Sequence, residues 1–177
     1  MNKVINYISY QSFPAETANS LQTVSNLKYL KKNDYDVRLF FPLREKNSSD
    51  DLKSLQKYYL LNQEITINGI KHPYPFGKID YFNKLLFHIS HYLWAKSISK
   101  NFIDDKYKNE FFLTRSDWIL FFFAKKNYKV IFECHQYSKV RNFVFKKVAS
   151  KDNVKIIFLN KFIKEEFNEF DTNNILL

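Results

Sequence analysis

Apolar positions along the chain fall into short runs that alternate with segments of helical spacing. The first run, Lys3 to Ser9 (KVINYIS), is rich in β-formers and opens a strand. After a polar turn, Leu21, Val24, Leu27 and Leu30 recur at helical spacing, and Asp36 to Leu43 (DVRLFFPL) forms a second apolar run. Strand, helix and strand within roughly 30 residues make a βαβ unit, whose two strands must pair in parallel and whose crossover should be right-handed.

Arg44 to Asp51 is charged and serine-rich, and its Ser48-Ser49-Asp50-Asp51 cluster predicts the N-cap of a short helix reaching Leu61. Glu64 to Lys71 (EITINGIK) alternates around Asn68-Gly69, which predicts a small β-hairpin at residues 64–71. Pro73, Pro75 and Gly77 break the pattern before a long helix over 79–101, with Phe82, Leu85, Leu86, Ile89 and Leu93 on its apolar face. The second half repeats the rhythm. Strands are predicted at 110–114, 129–134, 154–159 and 174–177, and helices at 117–126, 139–149 and 161–170. This alternation predicts an α/β, Rossmann-like parallel sheet with helices on both faces, over 1–177 as a single domain. The last strand, at Ile175-Leu176-Leu177, begins where the chain stops, so a second domain is expected beyond it.

Composition narrows the function classes. One cysteine excludes a disulfide scaffold and a Cys-based zinc site, and two glycines and four prolines exclude linker-like designs. No apolar run approaches the roughly 20 residues of a membrane span, and the N-terminus lacks signal-peptide character. A cytoplasmic, reducing setting is expected. The formal charge is +10, yet only Arg38, Arg44, Arg115 and Arg141 are arginines. A lysine-dominated excess argues against a dedicated nucleic-acid surface and leaves peripheral attraction to an anionic membrane open.

In open α/β sheets ligands sit at the carboxyl ends of the strands, so the residues just after each predicted strand are the candidates. After the first come Tyr10 to Asn19, without a glycine, which excludes the dinucleotide fingerprint. A helix N-terminus remains there, either capped by Ser12 or a neighbour, or holding an anionic or hydroxyl-rich ligand. After the second stand Pro42-Leu43-Arg44. Arg115, in Thr114-Arg115-Ser116-Asp117, either holds a phosphate or carboxylate or pairs with a nearby acid. Glu133 and His135 lie two apart and share one face, with Cys134 on the other; the histidine is an acid, base or hydroxyl-binding group, or a structural one. His88 and His91 are three apart on the long helix and read as a solvated pair, with no metal site recognisable. The same helix carries Lys84, Lys96 and Lys100 against Phe82, Leu86, Leu93 and Trp94. It either packs on its own sheet or lies on a membrane surface.

These segments resemble the N-terminal domain of a family 4 glycosyltransferase, a retaining, nucleotide-sugar-dependent family built as two facing Rossmann-like domains (GT-B). The resemblance lies in Phe13 to Gln22 (FPAETANSLQ), Asp36 to Pro42 (DVRLFFP), Leu113 to Ser116 (LTRS), Val130 to His135 (VIFECH) and Lys155 to Asn160 (KIIFLN), in that order, over nearly the whole chain. It implies that this domain binds a glycan or lipid-linked acceptor, that a C-terminal domain or separate subunit binds the nucleotide-sugar donor, and that transfer needs no metal and no further cofactor. By analogy Glu16, Thr17 and Asn19 line the acceptor side, Arg115 and Glu133 face the cleft, and His135 matches the family's cleft histidine, the catalytic candidate. The glycine-rich loop of many relatives is missing, which removes the basis for a donor-phosphate contact there. The paired-glutamate donor motif is absent as well, so this chain alone is expected to be inactive. A non-catalytic flavodoxin-like binding module and a basic peripheral membrane protein are the alternatives.

Overall fold

The structure, a computed structural model, describes residues 3–73, 83–102, 104–167 and 175–176. It is α/β, with parallel strands flanked by helices as in Rossmann-like folds. The chain divides into two compact units, Met1–Trp94 and Ala95–Leu177.

In the first unit, β1 (Val4–Ile8), α1 (Ala18–Lys32), β2 (Asp36–Leu43), α2 (Leu52–Tyr59) and β3 (Thr66–Lys71) follow in chain order, with strands arranged β3-β2-β1. β2 pairs in parallel with β1, Val4 opposite Asp36, and with β3, Arg38 opposite Thr66. Helix α1 buries Ser20, Thr23, Val24 and Leu27, an i, i+3, i+4, i+7 stripe, while Leu21 stays exposed. Its cap is Thr17 rather than Ser12. Thr17 Oγ1 accepts from the Ser20 N–H at 3.1 Å and Ser20 Oγ accepts from the Thr17 N–H at 3.3 Å, a reciprocal box that satisfies two helix-end donors. Ser12 is buried and donates to the Pro42 carbonyl instead. Helix α2 starts at the expected acidic cap, Asp51, whose carboxylate accepts from the Ser54 N–H at 2.8 Å.

The predicted hairpin at 64–71 is not formed. Asn68-Gly69 lies inside β3, opposite Phe40 and Phe41 of β2, and the segment is one continuous parallel strand. The glycine serves space rather than a turn: a Cβ there would stand 2.8 Å from the Asp50 Cβ and from Leu43 side-chain carbons, and the backbone φ is not positive.

Helix α3 (Asn83–Ile98) crosses the division between the units. Residues 79–82 of its predicted span, including Phe82, lie outside the described residues, as do Pro75 and Gly77. Its apolar face is rotated from the predicted one. Leu85 and Ile89 are exposed, whereas Ser90, His91, Trp94, Ala95 and Ile98 are buried. The reason is that Ser90 and His91 find polar and aromatic partners that let them go inside.

In the second unit come a 3-10 turn at Asp105–Asn109, β4 (Phe111–Thr114), α4 (Asp117–Lys125), β5 (Lys129–Cys134), α5 (Lys139–Val148), β6 (Val154–Phe158), α6 (Lys161–Glu165) and β7 (Ile175–Leu176). The strands run β4-β5-β6-β7, all parallel. Residues 168–170, 174 and 177 of the last predicted helix and strand lie outside the described residues. Two aromatic clusters fill this unit. Phe102, Phe112, Phe123 and Tyr128 meet at centroid distances of 4.8–5.5 Å, and Phe145 touches Phe132 and Phe167.

Replacing Gly69 with alanine should overpack the β2–β3 contact and lower stability by about 1–3 kcal/mol. Urea unfolding checks this; an unchanged midpoint would contradict the steric reading.

Candidate functional site

The register of β4 against β5 builds the site in the second unit. Phe111 stands opposite Lys129 and Thr114 opposite Phe132, so the next residue on each chain, Arg115 and Glu133, come side by side at the carboxyl ends of the strands. Arg115 Nε donates to Glu133 Oε2 at 2.7 Å, and both side chains are mostly buried. The pairing alternative for Arg115 is therefore the one the structure shows. Two residues on, His135 Nε2 lies 3.7 Å from the same carboxylate oxygen, on the face that period-two spacing predicts. Cys134 is buried, and burial pushes its thiol up to about 11, a pKa that leaves it protonated and unreactive near neutrality.

The His135 loop is held by a residue that sequence reasoning passed over. Arg141 reaches in from α5, donates from Nε to Asp117 Oδ1 of α4 at 2.7 Å, donates from Nη1 to the Gln136 carbonyl, and lies over the Phe132 ring at 5.2 Å. It clamps both flanks of the β5–α5 turn. Its signal was available. Arg141 precedes Val144, Phe145 and Val148 by three, four and seven residues, so it sits on the buried face of its helix. The adjoining helices begin in capped turns, with Ser116 accepting from the Ile119 N–H at 3.2 Å, Ser138 from the Arg141 N–H at 3.1 Å and Asn160 from the Ile163 N–H at 3.0 Å.

Electrostatics favours a neutral imidazole. Burial depresses the His135 pKa most and Arg115 adds to this, while Glu133 pulls it back up and Arg141 lowers it again. A neutral ring next to a guanidinium-paired carboxylate offers one nitrogen lone pair and one N–H to a hydroxyl-bearing ligand. Glu133, engaged by Arg115, acts on His135 through both its charge and its acceptor oxygen.

The remaining sequence-predicted residues lie in the first unit. Glu16, Thr17 and Asn19 are all exposed around the start of α1. The hydroxyl of Thr17 is committed to the cap, and the Glu16 carboxylate acts on Tyr58, whose pKa desolvation and then this charge hold above its ordinary value. The loop carrying them is pinned from below. Ala15 donates its N–H to the Tyr59 hydroxyl at 2.7 Å, and that hydroxyl donates to the Ala15 carbonyl at 3.0 Å. His88 and His91 are not a solvated pair, because His91 is buried against Tyr10. The reading of α3 as a membrane-lying helix loses Trp94, which is buried as well. Among the described residues no group of three or more His, Cys, Asp or Glu could hold a metal ion, and no helix is long and apolar enough to cross a membrane.

Scanned against models of known protein families the chain matches none, and no curated protein matches it.

Replacing Glu133 with glutamine removes the group that raises the His135 pKa and leaves Arg115 unopposed beside it. The imidazole should then titrate lower still, below a wild-type value already under histidine's ordinary level of about 6.5. NMR titration of the ring protons checks this; a rise would contradict the electrostatic picture.

Proposed function

We propose that this chain is the acceptor-binding half of a retaining glycosyltransferase that takes a sugar from a nucleotide-sugar donor. The observation that carries the reading is the neutral His135 fixed beside the Arg115–Glu133 ion pair at the carboxyl ends of adjacent parallel strands, the edge at which open α/β sheets hold ligands. Sugars present clustered hydroxyls that both donate and accept, and an uncharged imidazole in a loop braced by Arg141 can meet one of them without the desolvation cost of a charge. The donor is held mainly by a C-terminal domain or a separate subunit. In the transfer, the bond from the anomeric carbon to the nucleotide's phosphate oxygen breaks and a bond from the acceptor oxygen forms on the same face. The acceptor's hydroxyl proton leaves with the departing phosphate. His135 is the catalytic residue of this reading, touching a sugar hydroxyl at the reacting end. Glu133 and Arg115 position it.

In the enzyme supplied with its donor-binding part, His135→Ala should lower turnover by about 100-fold or more, while the thermal midpoint moves by no more than about 3 °C. Unfolding of the variant with activity per folded molecule intact would instead make His135 a core residue.

A second reading, peripheral attachment to an anionic membrane, rests on a different observation. Leu159 is exposed in the turn after β6 and Phe162 in the first turn of α6, and the Lys161 ammonium lies 5.3 Å from the Phe162 ring, pairing apolar and cationic groups as interfacial anchors do. Vesicles containing phosphatidylserine should sediment the chain and release it in about 0.5 M salt, with Phe162→Ala weakening capture. Equal capture by purely zwitterionic vesicles would contradict it.

A further inference from the structure

A second polar cluster lies wholly within the first unit and takes no part in the site above. Tyr10 follows β1, Arg44 follows β2, His72 follows β3, and Ser90 and His91 come from the first half of α3. The Tyr10 hydroxyl lies 2.9 Å from His72 Nε2 and donates to Ser90 Oγ at 3.0 Å, and Ser90 Oγ is 3.2 Å from the same His72 nitrogen. The His91 ring stacks on the Tyr10 ring at 4.0 Å and 8°, and Trp94 stands 5.5 Å from it. The two Tyr10 hydrogen bonds join sequence positions 62 and 80 residues apart, and Ser90 and His91 are brought inside.

The cluster is built for zero added charge. In the neutral tautomer that carries its proton on Nδ1, His72 Nε2 accepts from a hydroxyl of the triangle while Tyr10 donates to Ser90. A permanent cation is already present. The Arg44 guanidinium lies over the Tyr10 ring at 4.6 Å, with Glu45 3.5 Å away and itself half exposed. His88, one turn before His91 on α3, has its Nδ1 buried with no hydrogen-bond partner among the described residues. A proton on His91 therefore places a second cation in a buried group that holds one already.

We propose that Tyr10, His72, Ser90 and His91 form a proton-operated latch, which holds the first half of α3 against the carboxyl ends of β1 and β3 at neutral pH and releases it in acid. Burial first, and then the charges of His88, Arg44 and His72, hold the His91 pKa well below its ordinary value. The released state takes a proton more readily than the closed one, so closure is complete above about pH 6.5 and weakens as the pH falls through that value. Opening gains up to about tenfold per pH unit between the two pKa values. Tyr10 stands at the head of the loop leading to Glu16, Thr17 and Asn19, whose far end Tyr59 holds at Ala15. The latch stands independently of any sugar-transfer role.

Trp94 reports on the latch directly. In Trp118→Phe, which leaves Trp94 as the one tryptophan, emission should shift to the red as the pH falls from about 8 to about 5, around histidine's own range, while far-UV circular dichroism keeps its helical signal. His91→Phe keeps the aromatic stack without the proton, and His72→Gln keeps a hydrogen-bonding group without the charge. Each should move the fluorescence transition down by about one pH unit or abolish it. If His91→Phe fails to fold, His72→Gln decides alone. Emission that stays fixed until the dichroism collapses, or a transition that neither variant moves, would overturn the latch.

Discussion

Everything at the candidate site depends on the pairing register of β4 and β5. That register places Thr114 opposite Phe132, and so brings Arg115 beside Glu133 as both chains leave the sheet. A slip by one residue would turn Glu133 to the other face and put Cys134 in its place. A one-residue slip is opposed because Val130, Phe132 and Cys134 are buried at alternate positions of β5 and would be turned out of the core. The ion pair is thus a consequence of core packing, and the neutral state of His135 follows from burial first, with Arg115 adding to it and Glu133 opposing it.

The same logic explains why Arg141 is tolerated inside. A buried guanidinium is costly alone, but here it meets Asp117, the Gln136 carbonyl and the Phe132 face, so its charge and its donors are both met. It ties two helices to one turn and thereby gives the His135 loop a rigid frame. Loops that carry chemistry usually need such bracing from the scaffold. On the first unit, Tyr59 does the equivalent for the loop ahead of α1, holding both the N–H and the carbonyl of Ala15.

Most of the fold was legible because local signals and global topology agree. The bounds of β2 and β5 follow directly from their apolar runs, and the α2 cap from Asp51. Asn68-Gly69 misled because the same pair that permits a tight turn also permits close packing, and only the approach of Leu43 and Asp50 separates the two. The α3 face was misread for a related reason. Hydrophobicity alone cannot foresee that Ser90 and His91 go inside, since their partners, Tyr10 and His72, lie far away in sequence. At the site, the shared face of Glu133 and His135 followed from strand periodicity, whereas the pairing of Arg115 needed the register of two strands. Arg141 was readable from its helical spacing but lies within a helix rather than among the residues that follow each strand.

In the proposed function, His135, with Arg115 and Glu133, is where a hydroxyl-rich ligand meets the chain. The most direct test is chemical-shift mapping on the labelled protein as neutral mono- and oligosaccharides are added at neutral pH. The account predicts that the largest shifts gather at Arg115, Glu133 and His135, with those of Tyr10 and His91 unmoved. Shifts that avoid the three, or gather elsewhere in the chain, would contradict it.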